Sequence, residues 1–294
     1  MHEWFLVGLE LQPGDVHILD TALLFAKDLG AHVLALHVLG GGCEEGVGVS
    51  SPFEEALRKQ LDARKEEASK ELNRMVQAHA AFGVPFQVEI AQGRPCEVLM
   101  ERAALLRSSA PQGGEVVVTV GTGRMQGSFW ERWLGSTTEH LLRHQKGPIL
   151  VVPSGGGSSC GRTVDPHGGR WVVAVDGSEP SMKALGLAWR WSNAMSAQLT
   201  IVHASADRHA ISTLETTVAR VLSSEGRERY TLRVTEKEPA QAILEEAEKI
   251  EGALIVMGTH GRSGIERALI GSTARRVLEK TRLPVLCYHA SARG

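Results

Sequence analysis

Aromatic residues and cysteines are few in this chain of 294 residues, and neither sign of charge is in strong excess. The formal net charge of −2 argues against a nucleic-acid-binding protein that works through a broad basic surface. No apolar run approaches the roughly 18 residues that a bilayer-spanning helix needs. We therefore expect a cytoplasmic protein with neither nucleic acid nor membrane as a partner.

The four cysteines, Cys43, Cys96, Cys160 and Cys287, are scattered along the chain. They form no Cys-x-x-Cys pair and no metal-finger spacing, which excludes the common cysteine-based zinc and redox motifs. Cys96 and Cys287 lie in apolar patterns and are predicted to be small core residues.

Strand-like apolar runs alternate with helical periodicities along most of the chain. In the first half the sequence predicts strands at 4–9, 31–39, 86–91, 115–120 and 148–152, with helices at 16–29, 52–81, 95–108 and 135–144. In the second half it predicts strands at 171–175, 198–204, 230–235, 253–257 and 284–288, with helices at 182–195, 209–224, 239–250 and 272–281. Such alternation is typical of an α/β fold with a parallel sheet covered on both faces.

Several landmarks occur twice. Trp4-Phe-Leu-Val matches Trp171-Val-Val-Ala, and Gly135-Ser-Thr matches Gly271-Ser-Thr. We interpret the chain as two copies of one unit, residues 1–153 and 170–294, joined by a Gly/Ser-rich linker at 154–169. Tandem copies commonly pack about a pseudo-two-fold axis, so we expect an internal pseudo-dimer, with a further homodimer left open.

The stretch 256–274 carries the clearest chemical signal. Gly258 and Gly261 follow a predicted strand, and Gly271-Ser272-Thr273 opens a predicted helix. Glycines let the backbone approach a phosphate closely, a helix N-terminus presents unpaired N–H groups, and hydroxyls at the cap add donors. The pattern predicts an anion cradle, and a ligand-free turn with a capped helix is the alternative.

With these motifs the sequence resembles the universal stress protein family in its tandem two-domain form. The second half carries the motif of the nucleotide-binding branch, Gly-x2-Gly-x9-Gly-[Ser/Thr], as Gly258, Gly261, Gly271 and Ser272. The resemblance implies two doubly wound five-stranded parallel sheets of strand order 3-2-1-4-5. It also implies binding of ATP, ADP or AMP, with Mg²⁺ or Mn²⁺ on the phosphates.

The resemblance places Asp176 near the adenine and ribose and Ala204 against the adenine. His260 and Arg262, inside the motif, are positioned to meet a phosphate, Arg262 through charge-assisted hydrogen bonds, and ordinary solvent-exposed loop residues are the alternative for both. Asp176 as a turn cap and Ala204 as ordinary core remain alternatives. The full predicted nucleotide-binding set is Asp176, Ala204, Met257, Gly258, His260, Gly261, Arg262, Gly271, Ser272 and Thr273.

The first half departs from this motif. The place of Asp176 falls on Leu9 or Glu10, and Gly121-x-Gly123 precedes Gly135 by eleven residues. That loop also contains three bulky side chains where a phosphate site needs open backbone. We therefore expect weak or no nucleotide binding there, with the aromatic loop packing on the other domain or covering its ligand. The three side chains are Phe129, Trp130 and Trp133.

Histidines supply one further candidate. His140 and His144 have the i, i+4 spacing of a chelating pair, but no third ligand is evident, and an exposed helix face is the competing interpretation. His37 and His203 occupy matching strand ends and are predicted to be structural.

The leading functional hypothesis is a regulatory stress-response protein that binds ATP in its second domain and acts on an unidentified protein partner. No catalytic or metal-binding residue is predicted. A slow ATP hydrolase or nucleotidyl transferase is the enzymatic alternative, and a ligand-free interaction scaffold is the third.

Overall fold

The computed structural model describes residues 3–40, 52–110, 114–123, 134–153, 166–222, 227–261 and 269–289. The first half contains β1 (Trp4–Leu9), α1 (Asp15–Leu29), β2 (His32–Leu39), α2 (Pro52–Ala78), β3 (Phe86–Gln92), α3 (Pro95–Ser109), β4 (Val116–Gly121), α4 (Ser136–His144) and β5 (Gly147–Val152). The second contains β6 (Arg170–Ala174), α5 (Glu179–Ala194), β7 (Gln198–Ala204), α6 (Arg208–Val221), β8 (Tyr230–Thr235), α7 (Pro239–Lys249), β9 (Leu254–Gly258), α8 (Ser272–Lys280) and β10 (Val285–His289).

Local chemistry accounts for the helix ends. The first helix, α1, stops at Gly30, whose φ of 61° is left-handed and whose N–H closes the last turn. The helix predicted from residue 182 begins earlier, at Glu179, because Pro180 lies in the first turn of α5, where its missing N–H removes no helical hydrogen bond.

The strands form one ten-stranded sheet in the order β3-β2-β1-β4-β5-β10-β9-β6-β7-β8. Each half has the expected 3-2-1-4-5 order. The two predicted five-stranded sheets are joined edge to edge into one, because β5 pairs antiparallel with β10. This pairing satisfies backbone groups that a free edge strand would leave open.

The central strand pair has approximate two-fold symmetry. Leu150 of β5 lies opposite Leu286 of β10. These two leucines are counterparts in the repeat, because each ends one of the matching sequences Gly147-Pro-Ile-Leu and Leu283-Pro-Val-Leu. A residue that meets its own counterpart marks the axis of an isologous contact. The two halves therefore pack as an internal pseudo-dimer.

Helices cover both faces of the sheet, and each layer runs through both halves. Side chains of α1, α2, α5 and α6 form one buried cluster with the sheet. Side chains of α3, α4, α7 and α8 form the other. Alternate residues of β1 show the two-faced burial, since Phe5 and Val7 enter the first cluster and Leu6 the second.

Four aromatic rings meet where the halves join in the first layer. The ring centroid of Phe25 lies 5.6 Å from that of Trp191 and 6.0 Å from that of Trp171. The ring centroids of Phe5 and Trp191 are 5.8 Å apart. The indole N–H of Trp191 donates to Oε1 of the fully buried Glu3 at 3.0 Å. Burial raises the pKa of this carboxyl.

Two histidines establish how the repeats align. His37 Nδ1 lies 2.8 Å from the Leu9 carbonyl oxygen, and His203 Nδ1 lies 2.7 Å from that of Val175, each across 28 residues. Both histidines thus hold neighbouring strand ends together, as expected. Leu9 is the counterpart of Val175, so Glu10 rather than Leu9 stands at the place of Asp176.

The same alignment corrects one sequence landmark. Phe5, and not Trp4, is the counterpart of Trp171, so the match of the two tryptophans was wrong by one residue. Gly30 and Ser196, with φ values of 61° and 54°, end the equivalent helices at matching positions. The register is therefore continuous from β1 through α1 into β2.

Among the described residues, no helix is both long and apolar enough to cross a membrane.

We expect Trp191→Ala to lower the free energy of unfolding by about 3–5 kcal/mol, because it removes a large buried ring and a hydrogen bond to Glu3. Both halves should still unfold in one transition, since they share their core layers. Urea unfolding followed by circular dichroism measures this. Leu105→Ala, at a side chain that is 50% exposed, is the control and should change stability little. A Trp191→Ala variant as stable as the control would contradict the prediction.

Candidate functional site

The second half has a cavity of about 190 Å³ at the carboxyl ends of β6, β7 and β9. Ligands of open α/β sheets bind at this end, where neighbouring connections leave on opposite faces. Of the ten residues in the predicted set, nine line the cavity, and Arg262 lies outside the described residues. The nine are Asp176, Ala204, Met257, Gly258, His260, Gly261, Gly271, Ser272 and Thr273.

The motif glycines lie where the walls of the cavity touch. A Cβ on Gly261 would stand 2.8 Å from Asp176 Oδ2, and one on Gly258 would stand 2.9 Å from the backbone N of Ser181. A Cβ on Gly271 would stand 3.1 Å from the Thr259 carbonyl oxygen. The spacing of the glycines is thus needed to bring the two loops together.

Asp176 is anchored in the turn between β6 and α5. Its Oδ1 accepts hydrogen bonds from the backbone N of Ser178 at 3.0 Å and from Ser178 Oγ at 2.6 Å. The same hydroxyl lies 3.4 Å from the His260 carbonyl oxygen in the glycine loop. Sequence reasoning missed Ser178, although Asp-Gly-Ser is a known turn signal.

The start of α8 forms the opposite wall. Gly271 is the N-cap, and no side chain caps the helix. The expectation that the hydroxyls of Ser272 and Thr273 stand at the capping position is therefore wrong, since these residues are the first two of the helix. The first N–H groups of any helix lack helical partners and attract anions.

His260 connects the cavity to the junction of the two halves. Its Nδ1 lies 2.8 Å from Thr259 Oγ1, which lies 3.0 Å from Nδ1 of His289. Among the described residues, the buried Nε2 of His260 has no hydrogen-bond partner. His289 was not anticipated, because the last strand was predicted to end at residue 288, one residue before His289, the last residue of β10.

Burial lowers the pKa of His260. Burial, His260 and His144 lower the pKa of His289 to about 4. Both rings are therefore neutral at neutral pH.

Other predicted features lie apart from the cavity. The rings of His140 and His144 are 4.5 Å apart, but the described part of the chain contains no group of three His, Cys, Asp or Glu able to hold a metal ion. Cys287 is buried and Cys96 partly so. Phe129, Trp130 and Trp133 lie outside the described residues.

The contribution of His289 to the stability of the folded protein should be lost as the pH falls from about 6.5 to about 4. A histidine with a lowered folded-state pKa binds fewer protons than its unfolded form in this window, so acid favours unfolding. His289→Phe removes this titration and should flatten the slope of unfolding free energy against pH. The matched change at the exposed His209 should leave the slope as it is. Equal slopes for wild type and His289→Phe would contradict the prediction.

Comparison with known proteins identifies relatives along nearly the whole chain. The family model described as the universal stress protein family matches residues 1–153 and 169–289. A universal stress protein of Mycobacterium tuberculosis H37Rv is 27% identical over 251 residues, which cover 76% of this chain and 77% of the relative. One from Mycolicibacterium smegmatis is 30% identical over 207 residues, covering 65% and 67%.

Solved structures share the fold. A universal stress protein from Archaeoglobus fulgidus superposes with a TM-score of 0.76 at 21% identity, covering 98% of each chain. A putative universal stress protein from Pseudomonas aeruginosa gives 0.57 at 18% identity, covering 98% of this chain and 92% of the other. Because the family model matches both halves in turn, the chain belongs to the universal stress protein family as a tandem two-domain member.

Proposed function

We propose that this protein is a stress-response regulator that binds an adenine nucleotide, foremost ATP, in the second-half cavity. One observation carries the proposal: Asp176, the glycine loop and the start of α8 converge on a single cavity from three separate parts of the chain. The domain division proposed with it is 1–153 and 170–294, with 154–169 as linker.

The residues present fit such a ligand. Ala204, Val202 and Ile243 give the cavity an apolar wall for the base, and the Asp176 carboxylate is an acceptor for ribose hydroxyls. The cavity, at about 190 Å³, is smaller than the roughly 300–1,000 Å³ of typical small-molecule sites. We therefore place the base and ribose inside and the phosphates at the rim.

The rim offers donors to an anion. The buried Nε2 of His260 lacks a partner among the described residues, and the N–H groups at the start of α8 lie on the same cavity. Arg262 is proposed as a further phosphate contact on the basis of its place in the motif. A divalent ion, Mg²⁺ or Mn²⁺, would be carried by the phosphates.

The anchoring of Asp176 favours binding over catalysis. The backbone N–H and the hydroxyl of Ser178 both donate to Oδ1 of Asp176, which suits a carboxylate that acts as a fixed hydrogen-bond acceptor. Nucleotide occupancy would act on the junction through His260, Thr259 and His289, because β10 pairs with β5 of the first half. A ligand shifts such an equilibrium through its different affinity for the two states.

Calorimetry with ATP, ADP, AMP and cyclic AMP tests the proposal. We expect saturable binding of at least one of these nucleotides at one site. Asp176→Ala should weaken it about tenfold to hundredfold, through loss of a charged acceptor. Gly261→Val should weaken it as well, because its Cβ would collide with the Asp176 carboxylate.

Gly186→Ala is the matched control, since a Cβ there meets its nearest neighbour at an ordinary 3.9 Å. It should bind nucleotide as the wild type does. Absence of binding, or binding that survives both site variants, would refute the nucleotide proposal. Multiple turnover of ATP abolished by Asp176→Ala would instead favour the enzymatic alternative.

A further inference from the structure

The first half has its own cavity at the equivalent place, and it is the larger of the two. Its volume is about 800 Å³ against about 190 Å³ in the second half. This lies within the roughly 300–1,000 Å³ typical of small-molecule sites. Its floor is apolar and buried, formed by Ile18, Leu36, Leu99 and Val120.

Small residues explain the difference in size. Gly14 is the counterpart of Pro180, and nothing lies within 4 Å of a Cβ built on Gly14, whereas the Pro180 ring closes on Gly258. Gly123 is the counterpart of His260. The backbone N–H of Gly135 donates to the Thr122 carbonyl oxygen, just as that of Gly271 donates to the Thr259 carbonyl oxygen. Thr122 and Thr259 are therefore counterparts, and so are the residues that follow them. The side chain of His260, which lines the second cavity, thus has no equivalent in the first.

The charge of the first cavity also differs. Glu10 stands at the place of Asp176 and Asp15 at that of Ser181, so the lining carries two carboxylic acids in place of one. Asp15 is 6% exposed, and its Oδ2 accepts from the backbone N of Glu10 at 2.6 Å and of Gln12 at 3.1 Å. None of the described lining residues is Lys or Arg. The two carboxylic acids on this concave surface attract cations.

We propose that the first-half cavity is a separate site for an aromatic amine, an organic cation with a ring and an ammonium group. The ring packs on the apolar floor beside Val38, and the ammonium faces Glu10 and Asp15. The site is independent of the nucleotide proposed for the second half.

Calorimetry on the full chain with tryptamine and indole-3-acetate tests this, because the two share a ring and differ in the sign of their charge. Tryptamine should bind, and the acid should bind at least about tenfold more weakly. Glu10→Gln should weaken tryptamine roughly two- to fivefold, as expected for an exposed ion pair.

Paired variants locate the site. Val38→Phe should weaken tryptamine binding about tenfold or more, because the ring fills space in the first cavity. Ala204→Phe, which introduces the same residue at the equivalent position of the second cavity, should leave tryptamine binding unchanged. Gly14→Leu is a second wall variant, at a φ of −72° that any residue adopts and with open space around its Cβ.

Several results would overturn the proposal: no tryptamine binding at millimolar concentration, equal binding of the acid, binding that survives both wall variants, or loss of tryptamine with Ala204→Phe. ATP titrations of the same variants separate the two proposals. Ala204→Phe should impair ATP binding and spare tryptamine, and Val38→Phe should do the reverse.

Discussion

The antiparallel pairing of β5 with β10 is the constraint on which the rest of the molecule depends. It places equivalent elements of the two halves opposite each other, as in a closed dimer. Within one chain, however, counterparts can differ. Glu139 and Arg275 occupy the same position in α4 and α8 and form an ion pair at 2.8 Å, which lowers the pKa of Glu139. In a dimer of identical subunits, that position would bring like charges together.

The aromatic cluster also contains counterparts that differ between the two halves. Phe5 and Trp171 are counterparts, as are Phe25 and Trp191, and the second pair is in contact across the junction. Unequal rings let Trp191 extend to Glu3, a partner that lies before β1. The two halves thus share a core. His289 lies on the seam, and its ring centroid is 5.1 Å from that of His260 at the cavity.

Divergence at equivalent positions also accounts for the two cavities. In the second half, the side chain of His260 narrows the cavity, and Ser178 holds the Asp176 carboxylate. In the first, glycines open the space, and Asp15 holds the loop through its own carboxylate. One backbone arrangement therefore presents a narrow cavity with one acid and a wide one with two. The roles proposed for them differ because their volumes and charges differ.

The sequence by itself was enough to predict the alternating strands and helices, which depend on local periodicity. Its glycine motif and repeated landmarks carried the resemblance to the family, and that resemblance implied the strand order within each half. It could not align Trp4 and Phe5 correctly with Trp171, because a run of apolar residues looks alike after a shift of one residue. Tertiary structure alone decided that the sheets merge and that Glu10 faces the first cavity. It also decided that His289 lies beside His260 and that Ser178 holds Asp176. These are contacts between distant segments or between particular side chains, and packing determines them, whereas the local pattern does not.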